Sequence, residues 1–64
     1  MSNRIQATQE AIDLHAEQVG HQDHTPDERV TDLLTSLRVY CDVSDINFND
    51  CVRASSIQHK YLEV

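Results

Sequence analysis

Four residues near the middle of the chain, Thr25-Pro26-Asp27-Glu28, leave the backbone little choice. A threonine followed by proline and then, three residues on, by glutamate is an N-cap, a first helical position and a capping-box acid in register. Thr25 can accept from an orphan backbone N–H, Glu28 can reach back to the cap, and both acids suit the positive end of the helix dipole. Val30, Leu33, Leu34, Leu37 and Cys41 then recur at helical spacing with Tyr40 at the edge of the stripe, while Asp32, Thr35, Ser36 and Arg38 fall largely outside it. A second helix start lies at Asn47, with Asp50 as a weaker capping partner and Ile46 placed to staple across to Cys51. On that helix Phe48, Cys51, Val52, Ser55 and Leu62 share one side, and Ala54, Ile57 and Tyr61 recur on an adjacent one. The apolar arc is wider than one facing helix requires, which implies a second contact with the N-terminal arm or with another chain. Only Val43 to Ile46 separates the two helices, a loop length typical of antiparallel neighbours, so 25–62 is predicted to be an αα-hairpin.

Residues 3–19 carry a softer pattern. Ile5, Thr8, Ile12, His15 and Val19 follow a three-four spacing beside Ala11 and Ala16; Ser2 or Asn3 is the expected cap and Gly20 the stop. With so few strong aliphatics this helix is marginal in isolation and should fold by docking. Residues 20–24 are polar and read as a linker. One glycine, one proline and no repeat point to a single all-α domain over 1–64, an N-terminal helix plus the hairpin forming a three-helix mini-bundle.

A chain of 64 residues buries only about 60% of its unfolded surface, so extra stabilisation is expected from disulfides, a metal or oligomerisation. Dimerisation is the expected form. Two cysteines, no secretory signal and no bilayer-length apolar run suggest a soluble protein of a reducing compartment, cytoplasmic by default, with Cys41 and Cys51 as small core residues. Five basic against eleven acidic side chains give a net charge of −6. That potential repels phosphate backbones, and Arg53 and Lys60 alone make no basic recognition helix, so direct nucleic-acid binding is excluded.

Chemistry-bearing clusters are few. His21, Asp23 and His24, with His15 on the preceding helix, offer nitrogen and oxygen ligands, but they lack the paired-ligand spacing of structural zinc sites and read as a solvated turn. His59 near the last helix end suits the dipole there. No nucleophile elbow, phosphate loop or metalloprotease motif occurs, and the sequence assigns no catalytic residue, metal or cofactor. Glu10, Asp13 and Glu17 share one helical stripe; the bland reading is a solvated face, the sharper one a row of carboxylates imitating duplex phosphates against a basic groove.

The run from Asp32 to Asp42, followed by Ile46-Asn47-Phe48-Asn49-Asp50 and then His59 and Tyr61, resembles short acidic helical proteins of bacterial plasmids, integrated elements and phages. Here Ser44 or Asp45 stands where such proteins usually have a glycine in the inter-helix turn. The resemblance implies an accessory protein of a mobile element that acts by protein contact, and it supplies no site residues; a counter-defence inhibitor is the special case in which the carboxylates do the blocking. The expected function is therefore a non-enzymatic interaction protein that binds and modulates another protein. Tyr40, Phe48, Ile57, Tyr61 and Leu62 are the expected core or interface residues. The alternatives are a DNA-mimic inhibitor using Glu10, Asp13 and Glu17, and a small metal or redox protein using His21, His24 and the cysteines.

Overall fold

The computed structural model describes residues 3–62, which form three helices and no strand: α1 (Arg4–Val19), α2 (Pro26–Val43) and α3 (Phe48–Lys60). Each helix end has a local cause. At the start of α2 the Glu28 amide donates to Thr25 Oγ1 at 3.3 Å and the Thr25 amide to Glu28 Oε1 at 2.9 Å, completing the expected capping box. At the start of α3 the Asp50 amide donates to Asn47 Oδ1 at 3.0 Å. The start of α1 is weaker than expected: Asn3 occupies the cap position but its side chain makes no capping bond, and Ser2 lies outside the described residues.

The helix stops are more alike than the sequence suggests. Gly20 at φ 77° ends α1, its amide donating to the Glu17 carbonyl at 3.3 Å and the His21 amide to the Ala16 carbonyl at 2.8 Å, which is a Schellman turn. Asp45 at φ 58° plays the same part after α2, where the Ile46 amide donates to the Cys41 carbonyl at 2.8 Å. Aspartate is among the few side chains that tolerate the left-handed region, so Asp45 replaces the turn glycine.

Helix α2 is the centre. Helix α1 packs along it and α3 meets it near the turn, but α1 and α3 do not pack on one another. Phe48, half-buried at the first position of α3, lies under the Arg38 guanidinium at 4.4 Å from the ring centroid, which ties α3 to α2. Beyond Phe48 every residue of α3 is exposed. The body measures 33 × 33 × 16 Å, flatter than it is wide. Its radius of gyration, 13.0 Å, exceeds the roughly 10.7 Å of a compact chain of this length.

With α1 and α3 each packed on α2 alone, little interior forms. Among the described residues only Ala16 and Cys41 are buried, while fourteen large apolar side chains stand exposed. Cys41 is thus the core residue expected, whereas Cys51 is exposed on α3; both thiols are free. The seam of α1 is narrower than its pattern: Ile12, His15 and Ala16 turn inward, while Ile5 is 67% exposed.

Candidate functional site

Two features stand out on this body, a polar cluster at the α1–α2 corner and the uncovered apolar side chains of α2 and α3. The cluster is built by local backbone rules. The Schellman turn fixes His21 directly after α1, and the His24 amide then donates to the His21 carbonyl at 3.1 Å, closing a turn over Gln22 and Asp23. That turn brings the two imidazoles face to face, ring centroids 4.2 Å apart and 17° from parallel.

Both rings point their Nδ1 atoms at one oxygen of Asp32 on α2, His21 at 3.0 Å and His24 at 2.7 Å from Oδ2. An ionised carboxylate only accepts, so both Nδ1 atoms carry hydrogen and donate. The bond from His24 holds the Asp32 carboxyl below its ordinary range; desolvation opposes this and the bond from His21 adds to it. Arg29 holds the linker from the other side. Its Nε donates to the His24 carbonyl at 3.0 Å, one Nη donates to the Gln22 carbonyl, and the other reaches Asp13 on α1 at 3.3 Å.

Next to this cluster His15 Nε2 and Ser36 Oγ are 2.7 Å apart across the α1–α2 seam. His15 Nδ1 is buried with no hydrogen-bond partner, the one such side-chain atom among the described residues. His15, Val19, His21, Asp32, Thr35 and Ser36 line a single cleft of about 120 Å³.

The sequence placed His15, His21 and His24 together but named Asp23 as the companion carboxylate. Asp23 is exposed in the turn, and Asp32 takes that place. The available signal was the shortness of the linker: a turn ended by the Thr25 cap must lie beside the first turns of α2, where Asp32 and Ser36 are four residues apart on one side.

The expected interface residues are distributed over the second half of the chain. Tyr40 is 60% exposed on α2, Ile57 55% and Tyr61 83% exposed on and just after α3, and Leu62 is also exposed. Phe48 alone among the five is half-buried, against α2. On α1, Glu10, Asp13 and Glu17 are exposed, but Glu10 accepts from Gln6 at 3.3 Å, and Asp13 from Gln9 at 3.0 Å and from Arg29. Arg29 therefore offsets the middle charge of the acidic stripe. No described helix is long and apolar enough to cross a membrane. Compared with family models, curated proteins and solved structures, the chain matches none.

Proposed function

We propose that this chain is a non-enzymatic accessory protein that acts by contact, self-associating as a homodimer in which the α2–α3 hairpin of one copy covers that of the other. The carrying observation is area. The chain exposes 5570 Å², whereas a compact monomer of 7.3 kDa exposes roughly 4,200 Å², an excess of roughly 1,400 Å². A subunit of a standard interface gives up about 800 Å² and an obligate one more, so the excess is of the size one dimer interface removes. A helix of 13 residues with no buried side chain is marginal in water, and a second layer would give it the core it lacks. Tyr40, Ile57, Tyr61 and Leu62 are the anchors of this interface, with Phe48 at its edge. The acidic face of α1, carrying Glu10 and Glu17, remains outward for a further protein with a basic surface.

Sedimentation equilibrium across a concentration series, with circular dichroism on the same samples, tests the reading. Self-association in the micromolar range that weakens in an Ile57→Ser, Tyr61→Ser double variant is the expected result. Helical content in the variant should fall mainly at low concentration. A wild-type chain that stays monomeric and fully helical at millimolar concentration would overturn the dimer.

A further inference from the structure

The polar corner carries an inference independent of the dimer. We propose that His21, His24 and Asp32 form a binding site for a divalent transition-metal ion of the zinc class, with the two Nδ1 atoms and Oδ2 as its three protein ligands.

The donor set comes first. Two imidazoles and one carboxylate are the ligands that zinc, cobalt and nickel ions share, whereas magnesium and calcium ions prefer all-oxygen sets. The three ligand atoms lie within 4.8 Å of one another. Ligand atoms on a tetrahedral zinc ion with bonds of about 2.0–2.1 Å sit roughly 3.3 Å apart; the present separations of 3.0 and 2.7 Å from Oδ2 are close to that, and the two rings, stacked 17° from parallel, rotate about their side-chain bonds on binding so that the ion lies in the plane of each. The ion takes the place of the two Nδ1 hydrogens, which move to Nε2 as each neutral ring changes tautomer. Coordination by neutral imidazoles then needs no net loss of protons.

The backbone is already arranged for this. A Schellman turn fixes His21, a hydrogen-bonded turn fixes His24 relative to it, Arg29 grips the carbonyls of Gln22 and His24, and Asp32 stands on a helix. Little chain entropy therefore remains to be lost on binding, the usual cost of a site on a loop. A site of three protein ligands leaves a coordination position for water. The cleft that begins at His21 and Asp32 is bordered by His15, whose buried Nδ1 lacks a partner. With the His15 proton on Nε2 toward Ser36, that atom is an acceptor, and a metal-bound water in the cleft is a donor of the kind it needs.

Titration calorimetry of the full chain with zinc chloride, under a non-chelating reductant, tests the proposal. One ion per chain is expected, with binding weakened at least about 100-fold in each of His21→Gln, His24→Gln and Asp32→Asn, and unchanged in His59→Gln and Cys51→Ser. Magnesium chloride should give no heat above dilution. Because loss of a ligand also loosens the linker, a second readout uses the wild-type chain alone: zinc should shift the side-chain nitrogen resonances of His21 and His24 at Nδ1 and leave those of His59 in place. Absence of zinc binding, binding that disappears in Cys51→Ser, or unmoved His21 and His24 resonances would each overturn the site.

Discussion

Asp45 holds its backbone at φ 58° to turn the chain from α2 into α3, a conformation that costs most side chains about 1 kcal/mol or more. Asp45→Gly should therefore leave the fold intact and raise its stability by up to about 1 kcal/mol, and Asp45→Val should lower it by at least as much, measured by urea unfolding. Asp32 makes a second prediction at this scale. Its folded pKa is lowered chiefly by the His24 hydrogen bond, so the stability it contributes is complete above the ordinary aspartate pKa and is lost as pH falls through the folded value. Glu28, lowered by the Thr25 backbone hydrogen bond, acts in the same direction. Unfolding midpoints should fall as pH drops below about 4, with a shallower fall in Asp32→Asn. The role of Asp32 was hidden in the sequence because it falls outside the apolar stripe of α2, where polarity reads as solvent exposure; its partners come from the linker and not from a helix. The three histidines were visible as a group because the linker is short.

At the scale of elements, what was legible followed the strength of the end signals. The capping box of α2 and the asparagine cap of α3 are local chemistry, and both stand where the sequence puts them. Thr25→Ala should cost about 1 kcal/mol, and thermal unfolding monitored at 222 nm gives the measure. Gly20→Ala should cost a similar amount through backbone strain alone, since an added Cβ meets no atom within 4 Å. How the helices sit against one another was not legible, because periodicity says which side of a helix is apolar and not what faces it. The wide arc of α3 predicts a second contact beside α2, and α1 does not supply it.

For the whole molecule, a flat body carrying a net charge of −6 sets two tendencies against each other. Uncovered apolar area favours stacking of two copies, and like charge opposes it. Added salt screens the repulsion, so self-association should strengthen between 20 and about 300 mM salt, and the melting temperature should rise with protein concentration. Binding of the acidic face to a basic protein should weaken over the same salt range, which separates the two contacts in one titration. The placement of the two cysteines has a practical consequence. Cys41 is buried in the last turn of α2 while Cys51 stands open on α3, so a thiol-alkylating reagent meets one site it can reach at once and one it reaches only when the fold opens locally. The fast rate measures how well α3 is covered, and the slow rate is a clock for local unfolding at the α2–α3 turn, both written into the native sequence without any added label.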